Sequence, residues 1–271
     1  MNILDNHIHT HFSSDAKDNM EDVIKRAINI GVKYLTFTDH LEYRDTKFSL
    51  DCNEYVKQIQ EYKEKYKKDI DLLIGIEVGY QSYIKDKIED VLSSNPFDFV
   101  LCSTHRVDKQ RLVQSEFFKG LGKEEAYTKY FESIIKTTKE FNNYDTYGHL
   151  DYIVRYGKYE DNKIIYNDYK DVIDRLLKSI IDSGKGIEVN SSGYRYNLDA
   201  THPKIDILKR YKELGGEIIT LGSDSHRAID VCRDFDKSYS ILESLGFKHI
   251  CLYRGRKAQF LTLNKDIIYS L

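Results

Sequence analysis

A chain of 271 residues with 41% hydrophobic and 31% charged side chains can build a substantial core, as one large domain or two small ones. A formal net charge of −3, and the lack of any apolar run near the roughly 20 residues that span a bilayer, argue against a nucleic-acid binder and a membrane protein. Cys52, Cys102, Cys232 and Cys251 are scattered with no CxxC pair, against a zinc ribbon or disulfide framework, and the N-terminus shows no basic-then-apolar leader, so a cytoplasmic location is expected.

In chain order, the first predicted strand is 2–7. The helix over 19–30 follows, with Val23, Ile24, Ala27, Ile28 and Ile30 at helical spacing and Gly31 as its cap. "KYLTFTD" (33–39) reads as the second strand and 51–68 as an amphipathic helix, with the basic run at 63–68 on its solvated face. "DLLIGIEV" (71–78) and "FDFVLCS" (97–103) are the next strands, followed by a helix over 124–142. "YDTYGH" (144–149) precedes a helix over 168–183, and "GIEVN" (186–190) precedes one over 203–214. "EIITLGSD" (217–224) and "HICLY" (249–253) complete the strands. Such alternation predicts βα units on a parallel sheet. No linker rich in Pro, Gly or Ser divides the chain, and no GxGxxG or GxxxxGK[ST] turn is present. The expectation is therefore a single domain over 1–271 forming a closed α/β barrel, in preference to an open doubly wound sheet.

The informative residues are those that end the strands. The first ends in "DNHIHT", and the period of two puts His7 and His9 on one side. Asp39 and His40 end the second, Glu77 the third and His105 the fourth. His149 and Asp151 end the fifth, Glu188 and Asn190 the sixth, Asp224 and His226 the seventh. In a parallel barrel all these ends open on one face, so the residues converge there. His, Asp and Glu without Cys suit Zn²⁺, Mn²⁺ or Fe, and so many ligands call for two or three divalent ions sharing bridging carboxylates. Three histidines fall outside the pattern: His11, His202 and His249. His202 precedes Pro203 at a predicted helix start and reads as structural.

"DNHIHTH", "FTDH", "GIEVG", "STHRV", "GHLD" and "GSDSH", in this order, resemble the signature of the PHP (polymerase and histidinol phosphatase) superfamily of metal-dependent phosphoesterases. The resemblance runs from residue 5 to about residue 230 and implies a distorted (β/α)7, TIM-like barrel with its metal site at the C-terminal ends of the strands. Carried over residue by residue, it assigns His7, His9, Glu77 and Asp224 to a first metal. Glu77 would bridge to a second, held with His105 and His149. His40 and His226 would hold a third, with Asp15 standing where many members carry a histidine. Asp5, Asp39 and Asp151 become groups that orient the imidazoles.

Within the superfamily the chain most resembles the histidinol-phosphate phosphatase group. That implies a phosphomonoesterase converting L-histidinol phosphate to L-histidinol and phosphate in histidine biosynthesis, by attack of a hydroxide bridging two metals. Glu77, Asp224 and His226 would carry the chemistry. Arg155 and Arg195 match positions of phosphate-binding arginines, where a guanidinium fork suits two phosphate oxygens. Glu42 and the tyrosines near Arg195 are candidates for the rim that meets the amine and imidazole of histidinol. The alternative within the superfamily is another phosphate ester: a phosphotyrosine, a nucleotide or a sugar phosphate.

Overall fold

The computed structural model describes residues 3–44 and 47–263. Position 2 of the predicted 2–7 strand and both ends of the expected 1–271 domain lie outside the described residues. The first half of the chain runs β1 (Ile3–Ile8), α1 (Met20–Asn29), β2 (Val32–Phe37), β3 (His40–Leu41), the hairpin β4 (Tyr43–Arg44) and β5 (Lys47–Phe48), then α2 (Cys52–Tyr66). β6 (Asp71–Gly79), α3 (Lys85–Ser94), β7 (Phe99–Ser103) and a second small hairpin, β8 (Arg106–Val107) with β9 (Gln110–Arg111), lead to α4 (Lys123–Glu140). The second half contains β10 (Thr146–Tyr147), α5 (Lys170–Asp182), β11 (Gly186–Asn190), α6 (Ser192–Arg195) and α7 (Ile205–Glu213). It closes with β12 (Ile219–Gly222), α8 (Phe235–Ser244), β13 (His249–Arg254) and β14 (Lys257–Thr262).

Seven strands form one parallel path, β1-β2-β6-β7-β10-β11-β12, with β3 added beside β6. The path nearly closes. Ile8, at the end of β1, makes a parallel bridge to Ser225 just past β12, and the His9 N–H donates to the Ser225 carbonyl at 2.8 Å. This is the distorted seven-stranded α/β barrel expected from the sequence. Buried on both faces, β6 and β7 read as nearly continuous apolar runs, and every residue of β6 after Asp71 is buried. The helices cover the outside through one apolar stripe each: Val23, Ile24 and Ala27 in α1, and Val172, Ile173, Leu176, Leu177 and Ile180 in α5. The Asn19 side chain caps α1 by accepting the Asp22 N–H at 2.9 Å.

Several element boundaries shift from the sequence expectation. Only Thr146–Tyr147 of the 144–149 segment pairs as strand, because Asp145 is tied sideways to the Val100 N–H and Arg256 and His149 turns out at φ +22°. The 249–253 segment leaves the barrel and forms an antiparallel hairpin with β14. Helices α3 and α8 have no counterpart among the predicted helices. Among the described residues no helix is long and apolar enough to cross a membrane.

Candidate metal centre

β1 delivers His7 and His9 to one spot, with their Nε2 atoms facing each other at 3.0 Å. Their other nitrogens are already engaged. His7 Nδ1 lies 2.6 Å from Glu188 Oε1 at the end of β11, and His9 Nδ1 lies 3.2 Å from Ser13 Oγ. The Ser13 hydroxyl donates its one proton to Asp39 at 2.6 Å, so His9 Nδ1–H is the donor to Ser13. Both Nε2 lone pairs then point into the same small volume, which is stable only with a proton or a cation between them.

Glu77, at the end of β6, is the hub. Its Oε1 lies 3.0 Å from His149 Nε2, 3.3 Å from His105 Nε2 and 3.6 Å from His7 Nε2. Its Oε2 lies 2.6 Å from His40 Nδ1, yet neither of these two buried atoms makes a hydrogen bond. Two donor atoms held that close but out of hydrogen-bond alignment suit ligands of a common ion. Asp224 Oδ1 sits 3.4 Å from His9 Nε2 and 3.6 Å from His226 Nδ1. Asp15 reaches in from the loop after β1, 3.5 Å from His40 Nε2 and 3.6 Å from His226 Nε2, and is half-exposed. Four triads can each hold a metal ion, their donor atoms within 4.8 Å of one another: His7–His9–Asp224, His7–Glu77–His149, His40–Glu77–His105 and His9–His40–His226. They share His7, His9, His40 and Glu77, so the chain can bind several ions. The grouping puts His149 with His7, and His40 with His105 around Glu77.

The electrostatics fit the same occupant. Burial works against the charge on Glu77, but the imidazoles of His105, His40 and His7 outweigh it and hold the carboxyl well below its ordinary range. Asp224 is likewise held low against burial by His7, His9 and Arg155. His7 and His40 are driven well above the ordinary imidazole value, and His105 to about 9; in each, burial is overcome by surrounding carboxylates, Glu188 foremost for His7 and Glu77 for the other two. Burial and the neighbouring rings of His226 and His40 keep His9 neutral. A pocket that draws protons onto three imidazoles is one that a divalent cation would neutralise directly. Two candidate ligands, His149 (φ +22°) and Asp224 (φ +53°), also sit in the left-handed backbone region, which L residues enter at a cost.

The supporting carboxylates differ from expectation. Asp5 accepts the backbone N–H groups of His7, Ser223 and Cys232, and Asp39 holds Thr10 and Ser13. Neither touches an imidazole. Glu188 does, and its Oε2 also accepts the His149 N–H at 2.9 Å and Asn190 Nδ2 at 3.0 Å. Gly222 makes room for it: a Cβ there would stand 2.2 Å from Glu188 Oε1 and 2.4 Å from His7 Cβ. Glu42 is buried with Oε1 2.7 Å from His105 Nδ1, so it backs the metal centre instead of forming the substrate rim. The sequence signal for Glu188 is a carboxylate between Ile187 and Val189 in a doubly buried strand.

A cavity of about 200 Å³ opens over His40, His105, His149, Asp224 and His226. Arg155 lines it beside Tyr152, Tyr156 and Tyr196, its guanidinium 4.2 Å from the Tyr196 ring centre and 4.8 Å from that of Tyr152. Arg155 Nη2 donates to Ser192 Oγ and, at 3.2 Å, to Asp224 Oδ2. Arg195 stands behind Asp224 and donates from Nη2 to its carbonyl at 2.7 Å, while its Nη1 is buried with no partner.

The family model for the PHP domain matches residues 5–192. The histidinol-phosphatase of Lactococcus lactis subsp. lactis is 32% identical over 265 residues, covering 95% of this chain and 96% of the relative. A probable histidinol-phosphatase of Clostridium acetobutylicum is 32% identical over 254 residues, 92% of this chain and 96% of the relative. Among solved structures, histidinol phosphate phosphatase from Lactococcus lactis, complexed with zinc, L-histidinol and phosphate, aligns with a TM-score of 0.89 at 31% identity, over 95% of this chain and 98% of that one.

Proposed function

From the premise that the chain belongs to the PHP domain family, we propose that it is a metal-dependent phosphomonoesterase hydrolysing L-histidinol phosphate to L-histidinol and phosphate. The observation that carries this reading is the meeting, over one cavity, of the His, Asp and Glu cluster with the Arg155 guanidinium. The relatives of near-equal length are histidinol-phosphatases, and the solved one holds zinc, L-histidinol and phosphate.

His7, His9, Glu77 and Asp224 would hold one divalent ion and Glu77, His105 and His149 a second. His40 and His226, with Asp15, would hold a third. Bound there, such ions supply Lewis acidity toward phosphoryl oxygens and a water acidified toward neutral pH. The protein's own part is placement. Glu77 gathers five imidazoles around one carboxylate, those of His7, His40, His105 and His149 and, at 3.7 Å from Oε2, His9, and Asp224 joins the His7–His9 pair to His226. Arg155, with Nε and Nη2 engaged by the protein, presents Nη1 to a phosphoryl oxygen. Arg195 is not among the residues lining that cavity, but its buried, unpartnered Nη1 beside Asp224 would be the second donor for a phosphate seated against that carboxylate. Tyr152, Tyr156 and Tyr196 give flat walls suited to the imidazole and carbon skeleton of histidinol. On this reading residues 1–271 are one PHP-type barrel domain acting in the cytoplasm on a small-molecule ester, without nucleic acid or membrane.

The test is a panel of phosphomonoesters and diesters offered to protein reconstituted with Zn²⁺, Mn²⁺ or Fe²⁺. L-Histidinol phosphate should give the highest kcat/KM. Equal or faster turnover of phosphotyrosine, nucleotides or sugar phosphates would reject the assignment.

A further inference from the structure

His202 reads from the sequence as a structural residue before Pro203, yet it stands between a buried carboxylate and the cavity arginine. Its backbone is pinned to the end of β11: the Asn190 N–H donates to its carbonyl at 2.7 Å, and its own N–H donates to the Asn190 carbonyl at 2.8 Å. Its ring is buried. Nδ1 meets Asp151 Oδ1, and Nε2 lies 3.0 Å from Arg155 Nε. The second oxygen of Asp151 accepts the Lys204 N–H at 3.0 Å.

The chemistry of the three groups fixes the protons. A guanidinium N–H can only donate, so His202 Nε2 must carry a lone pair, and the ring proton resides on Nδ1, donated to Asp151. The array is therefore carboxylate, neutral imidazole, guanidinium, with each polar atom of the ring used. Arg155 is gripped at two points: His202 takes Nε, and Ser192 with Asp224 takes Nη2. Without the grip at Nε, the guanidinium is held only at Nη2, by Ser192 and Asp224 Oδ2, and is free to rotate about that point, which turns its remaining donor away from the phosphoryl position.

We propose that His202, locked in its Nδ1–H tautomer by Asp151, is a positioning residue that aims the Arg155 guanidinium at the phosphoryl group. The inference rests on the reading of Arg155 as a phosphate ligand.

Two near-isosteres separate this role from a structural one. Asn in place of His202 keeps a donor for Asp151 but loses the acceptor for Arg155. Gln supplies an acceptor near the Nε2 position and leaves Asp151 without its ring donor. The probe is inorganic phosphate, titrated calorimetrically into metal-loaded protein and used as a competitive inhibitor. Metal content and Tm are measured on every variant. His202→Asn should weaken phosphate binding and raise KM roughly tenfold, the scale of a lost charge-assisted hydrogen bond, with metal content unchanged. His202→Gln should recover binding to within about threefold of the parent. A structural role predicts the reverse order, Asn tolerated and Gln damaging, and that result overturns the inference. If His202→Gln fails to fold, the cycle of Arg155→Ala with His202→Asn decides: non-additive losses support action through Arg155, and additive losses overturn it. Phosphate affinity reduced by Arg155→Ala but untouched by His202→Asn overturns the inference alone. Affinity untouched by Arg155→Ala overturns the phosphate role of Arg155 as well.

Discussion

Replacing Glu188 by Gln should weaken metal binding 10- to 100-fold while leaving the barrel intact. The carboxylate now serves three donors: His7 Nδ1 at 2.6 Å through Oε1, and the His149 N–H and Asn190 Nδ2 through Oε2. An amide of the same size has one acceptor and one donor end, so it cannot satisfy both sides. With its NH₂ toward His7, that ring must move its proton to Nε2, which removes the lone pair aimed at the ion. With its NH₂ toward His149, donor faces donor. Either conflict costs about 1–3 kcal/mol, and at about 1.4 kcal/mol per decade this is roughly one to two powers of ten in affinity. The assay is competition against a chelator of known affinity, followed by elemental analysis, with circular dichroism as the check on folding. A folded variant whose metal affinity stays within about twofold of the parent, well short of that range, would refute the reasoning.

Three further outcomes follow from the same geometry. Asp15→Ala should lower the metal stoichiometry by at most one ion and leave the buried ions tight, because Asp15 is half-exposed and its carboxylate faces His40 and His226 at the edge of the cluster; loss of all metal would contradict this. Gly222→Ala should lower Tm by several degrees, since its Cβ meets Glu188 and His7 at 2.2 and 2.4 Å and overpacking costs about 1–3 kcal/mol; an unchanged Tm would count against the close fit. Stripping metal with a chelator should also lower Tm, and Zn²⁺ should restore it, because free ion at about a hundred times Kd stabilises by roughly 2.7 kcal/mol per site; a Tm indifferent to chelator would argue against native-state metal binding.

The barrel is legible in the sequence because helices such as α1 and α5 carry one clear apolar stripe and strands such as β6 and β7 a nearly unbroken apolar run. The candidate ligands are legible because a parallel barrel gathers every strand end to one rim, so His40, Glu77 and Asp224 can be placed without knowing any distance. The supports are another matter. Asp5 and Asp39 lie on the expected side but satisfy backbone N–H groups and hydroxyls, since facing alone does not rank the nearest neighbour. His202 and Glu188 act on Arg155 and His7, remote in sequence, and no local pattern links them. Helix α3 buries only Ile88 and Leu92, a signal too thin to separate from a charged loop.

The stitch between Ile8 and Ser225 lies between His7 and His9 on one side and Asp224 and His226 on the other. Sealing the barrel and completing the ligand set are thus one event. His7 and His9 come from the first strand of the barrel and Asp224 and His226 from the end of its last, so the cluster that joins them exists only where those two strands meet. A one-residue slip in either strand would turn its candidate ligand away from the rim, so the same seam that sets the register also sets which side chains face the cluster.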